Sequence, residues 1–290
     1  MTGTFDEAVM LTQRPSKLQG IITDGTEFHR LISRTPMDLK LAGKTVMITG
    51  GSKGIGASCA WSFAEEGCAL ELVARNGHAL DELARQIRGK HNVAVATHAL
   101  DLRAPADLAQ AEALCSDIDI LVNNAGDIPA GSLDRLDDKA WRHAWELKVF
   151  SYISLSRSAF IAMRHRGQGV ITNVIGMAAE RPTFEYICGA SANAGLAAFT
   201  KALGQGSLKH GVRVMGVHPP STRTERIDTI QRMLAKQHYG DESRVDDLFR
   251  DKLATPAIDP EQVADAVVYL SSPRASQLTG IVMNLGLVNG

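Results

Sequence analysis

Thr49-Gly50-Gly51-Ser52-Lys53-Gly54-Ile55-Gly56 follows the apolar run Val46-Met47-Ile48 and precedes a helix-like segment over 57–66. A strand, a glycine turn and a helix in that order form a site for a dinucleotide pyrophosphate. Glycines let the backbone approach the phosphates, and the helix N-terminus offers free N–H groups and a positive dipole end.

Outward from this stretch, apolar strand-like runs and helical patterns alternate. The strand-like runs lie at 45–49, 69–74, 93–98, 118–123, 169–174, 212–217 and 281–285. Helical periodicity covers 54–67, 77–89, 104–116, 137–165, 188–209 and 259–270. Such alternation predicts an α/β fold: one doubly wound, Rossmann-like parallel sheet of about seven strands, covered on both faces and joined by right-handed crossovers. Ligands in these sheets bind beyond the carboxyl ends of the strands.

The 290 residues suffice for one large domain with a full core, assigned to 39–290. Residues 1–38 are polar and aperiodic and read as an appended arm, disordered or draped over the domain. Met37 stands just before the first strand as a candidate alternative start, leaving open whether 1–36 belong to the native protein. The charged segment 225–253 is long for a connection, so either a substrate lid or a solvated helix pair is expected there.

Composition excludes several classes. With 44% hydrophobic and 22% charged residues and a net charge of -1, no strong field draws the chain to nucleic acid or a membrane surface. No apolar run approaches the roughly 20 residues that span a bilayer. An apolar signal core is also absent, so a cytoplasmic location is expected. Cys59, Cys68, Cys115 and Cys188 show no metal-ligand spacing and read as reduced thiols, and no metal site is expected.

Several motifs in order over roughly 41–285 resemble the short-chain dehydrogenase/reductase family. Gly50, Gly54 and Gly56 match its glycine loop, with Ser52, Lys53 and Ile55 inside it. Asp101-Leu102 sits where the family's aspartate meets the adenine ring. Asn123-Asn124-Ala125-Gly126 matches the signature after the fourth strand. Pro219 and Thr224 match the turn whose threonine contacts the nicotinamide amide, although Pro220 replaces the usual glycine. The C-terminal signature is degenerate, reading Leu285-Gly286-Leu287-Val288. The resemblance implies a nicotinamide cofactor, a small-molecule substrate, and a homodimer or homotetramer built through 137–165 and 188–209.

Charge argues the choice of cofactor. An NAD site usually places a carboxylate after the second strand, for the ribose 2′-hydroxyl. Here that strand ends Val73-Ala74-Arg75 with no acid. Arg75 and Lys53 are two cations at phosphate-facing positions, so NADP(H) is expected over NAD(H). The alternative for each is a solvated surface charge.

The family's chemistry, as the resemblance implies it, needs a tyrosine and a lysine four apart on one helix face, an orienting serine, and an asparagine on the preceding helix. Alignment on Gly189-Ala190-Ser191 places Cys188 at the tyrosine, Ala192 at the lysine, Gly176 or Ile175 at the serine and Lys148 at the asparagine. All four side chains are replaced. Lys148 lies at the centre of the stripe Trp141, Trp145, Tyr152, Leu155 and Ala159. It would supply an ammonium from the other helix, toward the cofactor ribose or a proton donor, unless its amine snorkels to solvent. Tyr186, two residues before the aligned position, is the candidate donor or else a pocket-lining aromatic. Cys188 is a candidate thiolate or a small buried hydrophobe. Asn173, Arg181, Glu185 and Asn193 are placed by position along the substrate cleft. The functional expectation is an NADP(H)-dependent oxidoreductase of carbonyls or secondary alcohols. Its alternatives are a dinucleotide-binding sensor or scaffold without turnover, and a non-redox lyase or isomerase with Lys148 as base.

Overall fold

β1 (Thr45–Thr49) shows how the strands work. Val46 and Ile48 pack in one core cluster and Met47 in another, because alternate side chains leave opposite faces of a strand. β2 (Ala69–Ala74) and β4 (Ile120–Asn123) repeat the pattern: Leu70, Leu72, Ile120 and Val122 face one side, Val73 and Leu121 the other. With β3 (Val95–Ala99), β5 (Gly169–Val174), β6 (Val212–His218) and β7 (Ile281–Asn284) they form one seven-stranded sheet ordered 3-2-1-4-5-6-7. Every neighbouring pair is parallel. This computed structural model describes residues 37–251 and 257–286. The arm expected over 1–38, apart from Met37 and Asp38, and the Leu287-Val288 end of the C-terminal signature lie outside the described residues.

α1 (Gly54–Glu65), α2 (Gly77–Lys90) and α9 (Pro260–Ser271) cover one face through Phe63, Leu80, Ile87, Val263 and Val267. α3 (Pro105–Leu114) and α5 (Ser151–Arg166) cover the other through Ala111, Leu155, Ala159 and Met163. β4 begins at Ile120, just after Asp119, whose side chain is engaged at the strand entrance. Its carboxylate accepts from the Thr45 amide at 3.0 Å and from Lys44 Nζ at 3.2 Å, clipping the strand entrance to β1.

The single helix expected over 137–165 is divided. α4 (Asp138–Trp145), capped where Asp137 Oδ1 accepts from the Ala140 amide at 2.8 Å, leads into a π-helical turn, Glu146–Phe150, before α5. This wider turn splits the expected stripe. Trp141 and Trp145 pack beside Cys188 and Ala192, whereas Leu155 and Ala159 face the sheet. α6 (Ile187–Ser207) follows β5. The segment expected as an insertion is a helix pair, α7 (Glu225–Tyr239) and α8 (Val245–Arg250), with Gly240 closing the first.

Arg213 on β6 is buried, and its guanidinium closes the C-terminal end of α9. It donates to the carbonyls of Leu270 (2.8 Å), Ser271 (3.1 Å), Ser272 (2.9 Å) and Ala275 (3.0 Å). Leu270 and Ser271 are in the last turn of α9, whose carbonyls lack intrahelical donors, and the Ser272 and Ala275 carbonyls take the guanidinium beside a backbone amide. Arg213→Met is therefore expected to lower unfolding stability by about 2–4 kcal/mol, since buried carbonyls lose charged donors. Urea unfolding checks this, and a midpoint equal to wild type would refute it.

Candidate active site

Strand order reverses between β1 and β4, and the crevice beyond their carboxyl ends is where such sheets bind ligands. The glycine loop stands there. Gly50 and Gly54 adopt φ of +67° and +55°, which side chains disfavour. A Cβ on Gly56 would lie 2.2 Å from the Gly50 carbonyl oxygen. The loop therefore keeps its backbone bare where a pyrophosphate would lie against the first turn of α1, and it fits a dinucleotide. Ser52 lies in that loop, Lys53 immediately precedes α1, and Ile55 is in the first turn of α1.

The turn after β4 fixes the loop from the other side. Asn124 Nδ2 donates to the carbonyls of Thr49 (3.0 Å) and Gly50 (3.3 Å), and Thr49 Oγ1 accepts the amides of Asn124 and Ala125. The Asn124 amide is thus spent on holding the loop. Gly126 makes room for Lys148, whose Cδ would lie 2.9 Å from a Cβ there. Thr224, at the start of α7, brings its methyl within 3.1 Å of the position a Gly54 Cβ would take. The Pro219 carbonyl accepts the Met177 amide at 3.0 Å, joining the turns after β5 and β6.

The cations at the rim are not unopposed, which corrects the charge argument drawn from sequence. Arg75 Nη2 lies 3.6 Å from Asp127 Oδ2, and Lys53 Nζ lies 2.9 Å from Glu225 Oε2. Arg103, which the sequence reading passed over, reaches the same Asp127 oxygen at 3.4 Å and the Asp101 carboxylate at 3.3 Å. Asp101 and Leu102 thus stand beside an arginine–aspartate network, with Leu102 itself in the core.

On the other side of the cleft, Lys148 sits at the middle of the π turn, only 7% exposed. Its Nζ donates to the Val174 carbonyl at 2.8 Å and to the Tyr152 hydroxyl at 3.1 Å; Tyr152 donates to the same carbonyl at 3.0 Å. The amine therefore turns inward to the carboxyl end of β5 and does not snorkel to solvent. Tyr152, fully buried, positions the lysine. It stands one helical turn after Lys148 in the sequence, a spacing that could have revealed it.

Two residues beyond Val174, a Cβ on Gly176 would lie 2.8 Å from Asn193 Nδ2. Asn193 is 4% exposed, and its Oδ1 accepts no hydrogen bond. One turn earlier on α6, a Cβ on Gly189 would lie 2.1 Å from Cε1 and 2.7 Å from the hydroxyl oxygen of Tyr186. Tyr186 packs against the same buried cluster as Trp141 and Trp145, while its phenolic end occupies the space over Gly189. Tyr186 immediately precedes α6 with φ of -135° and ψ of 31°, so helical rotation does not govern where its side chain points.

Behind this wall lies His218, at the end of β6. It is fully buried, and Glu180 Oε1 lies 3.5 Å from its Nε2. Burial pushes its pKa below the ordinary histidine value, against the opposing pull of Glu180. Nothing in the sequence apart from its place at a strand end marked it. Asn173 does not line the cleft. It accepts from Asn123 at 2.9 Å and donates to Thr200 Oγ1 at 2.9 Å, in a buried network tying β4 and β5 to α6. Arg181 and Glu185 are exposed.

The family model for short chain dehydrogenases matches residues 44–235. The chain belongs to the short-chain dehydrogenase/reductase family. It is 31% identical over 252 residues to galactitol 2-dehydrogenase (L-tagatose-forming) of Cereibacter sphaeroides, covering 84% of this chain and 94% of that protein. It is 28% identical over 253 residues to 7alpha-hydroxysteroid dehydrogenase of Escherichia coli, covering 86% and 94%. The structure superposes on L-sorbose reductase of Gluconobacter frateurii, complexed with NADPH and L-sorbose, with a TM-score of 0.79. Identity there is 32%, over 88% of this chain and 100% of that one. A 7 alpha-hydroxysteroid dehydrogenase complexed with NADH superposes with a TM-score of 0.73 at 26% identity, over 86% and 94%. The protein is an NAD(P)-dependent oxidoreductase of alcohols and ketones.

For a short-chain dehydrogenase/reductase, the geometry moves the helix register by one residue. On α6 the residue that meets Gly176 is Asn193, with Gly189 four residues before it, whereas Cys188 and Ala192 pack with Ile128, Ala144 and Val149. One residue is about 100° on a helix. The Cys188 thiol is buried and its pKa raised by burial, so the reading of Cys188 as a thiolate fails. Burial likewise pushes Cys59, Cys68 and Cys115 up to about 12. No group of three or more His, Cys, Asp or Glu among the described residues could hold a metal, and no described helix is long and apolar enough to cross a membrane.

Proposed function

We infer that this enzyme is an NADP(H)-preferring reductase or dehydrogenase of a small carbonyl or secondary alcohol, working from an atypical site. The observation that carries the reading is the Tyr186 phenol over Gly189. A phenolic hydroxyl is thereby present on the helix face where the register correction leaves glycine. When bound, the nicotinamide supplies or accepts the hydride. Tyr186 gives the proton to the substrate oxygen in reduction and takes it back in oxidation. Lys148, held by Val174 and Tyr152, provides a fixed positive charge for the oxygen that becomes negative. Asn193 Oδ1, buried and unpaired, is an acceptor for a hydroxyl of cofactor or substrate.

At the adenosine end, the glycine loop with Ser52, Ile55 and Gly56 takes the pyrophosphate, and Asp101, Leu102, Ala125 and Gly126 line the adenosine. Pro219 and Thr224 form the nicotinamide end. Arg75 and Lys53 take the 2′-phosphate. Their carboxylate partners are exposed and screened by solvent, so a phosphate can displace them. One structural relative is complexed with NADPH and another with NADH, so the preference rests on these cations. The helix pair over 225–250 is read as a lid over the substrate. A cytoplasmic homodimer or homotetramer fits the exposed Phe150 and Ile161 on the long helical segment.

The experiment is fluorescence titration of NADPH and NADH on wild type and Arg75→Ala, followed by a carbonyl panel with the preferred cofactor. NADPH should bind the wild type more tightly, Arg75→Ala should lose about tenfold of that advantage, and NADPH should be oxidised only with substrate present. Binding without turnover across the panel would replace this reading with a cofactor-binding role.

A further inference from the structure

Arg75 follows β2, Arg103 follows its neighbour β3, and Asp127 follows β4 across β1, so three strand ends on one side of the sheet's carboxyl edge bring their charges to one place. Both guanidinium groups converge on a single oxygen, Asp127 Oδ2, at 3.6 Å and 3.4 Å. The Arg103 side chain is only 9% exposed and is fixed from its other side by Asp101, whereas the Asp127 side chain is 58% exposed. Two arginines around one anionic oxygen, one of them immobile, form an anion site that the protein fills with its own carboxylate. Arg75 and Arg103 against Asp101 and Asp127 sum to no net charge, so the cluster has little field of its own for a phosphate.

We propose that Asp127 sets the discrimination between the two nicotinamide cofactors, accepting the ribose 2′-hydroxyl of NAD(H) and competing with the 2′-phosphate of NADP(H) for Arg75 and Arg103. This rests on the adenosine end lying beside the glycine loop as described above. A hydroxyl donates to the carboxylate at no electrostatic cost. A phosphomonoester of charge about −2 meets a like charge and must draw Arg75 away from it. NADP(H) preference in the wild type is thus held below what its arginines alone would give. The acid missing from the end of β2 is supplied from the end of β4.

Calorimetric titration of 2′,5′-ADP and 5′-ADP, which carry no nicotinamide, tests this on wild type, Asp127→Asn and the charge-preserving Asp127→Glu. Comparing two ligands on one protein cancels any loss of folded material. Asp127→Asn should shift the affinity ratio toward 2′,5′-ADP by about tenfold, as removing one charge near a dianion in a wet site implies. Asp127→Glu should stay within about threefold of wild type. The same shift should appear with NADPH against NADH. An unchanged ratio in Asp127→Asn, or weaker 2′,5′-ADP binding, overturns the proposal. A wild type that favours NADH, with the tenfold shift still present in Asp127→Asn, would sink the NADP(H) preference and uphold the role of Asp127. Failure of the wild type to bind either fragment overturns both.

Discussion

Tyr186→Phe should lower kcat roughly 100- to 10,000-fold, the range expected when a positioned proton donor is removed, while NADPH binding stays within about twofold. The substitution deletes one hydroxyl and leaves the ring packed against the cluster of Ile128, Ala144, Val149, Cys188 and Ala192. Stability should therefore hardly change, and the loss should fall on kcat and kcat/KM together, as for an interaction made in the transition state. Steady-state kinetics with the preferred carbonyl decides it, and undiminished turnover would remove Tyr186 from the mechanism.

Gly189→Ala should be nearly as damaging, although it leaves the hydroxyl in the chain. Its Cβ would stand 2.1 Å from Cε1 and 2.2 Å from Cζ of Tyr186. The clash is with the far end of a side chain at the start of α6, so the ring gives way and the helix does not. Replacing a helical glycine by alanine favours the helix by about 0.5–1 kcal/mol. The expected variant is as stable as wild type or slightly more so, binds NADPH, and turns over within about tenfold of Tyr186→Phe. Because both substitutions remove one phenol from one place, the double variant should be no slower than the worse single one. A fully active Gly189→Ala would show that the hydroxyl does not work from over Gly189.

The fold was legible because its signals are local and repeated. The alternation of Val46, Met47 and Ile48 between two cores and the glycine turn after Thr49 each show in a few consecutive residues. The pyrophosphate cradle was legible for the same reason. What failed depended on phase or on distance along the chain. An error of one residue on α6 exchanged the buried Cys188 for Gly189, because a helix turns about 100° per residue. The network of Asp127 with Arg75 and Arg103 joins three strand ends that no short motif connects. The reach of Tyr186 over Gly189 follows from a non-helical backbone just before α6, which no periodicity shows. Lys148 stands out in the sequence as a cation in an apolar stripe, yet the stripe itself is two faces joined by a π turn.

That turn also bears on how this enzyme tolerates change. The Glu146–Phe150 segment has one residue more per rung than the helices on either side, and Lys148 stands at its middle. The place of the ammonium under Val174 is therefore set by residue count as much as by residue identity. Neighbouring side chains can be exchanged with the lysine left where it is. Losing or gaining a single residue between Trp145 and Tyr152 would swing the amine off β5 and bring Trp141 and Trp145 out of register with α6. Over evolutionary time, such a segment is free to drift in composition and fixed in length.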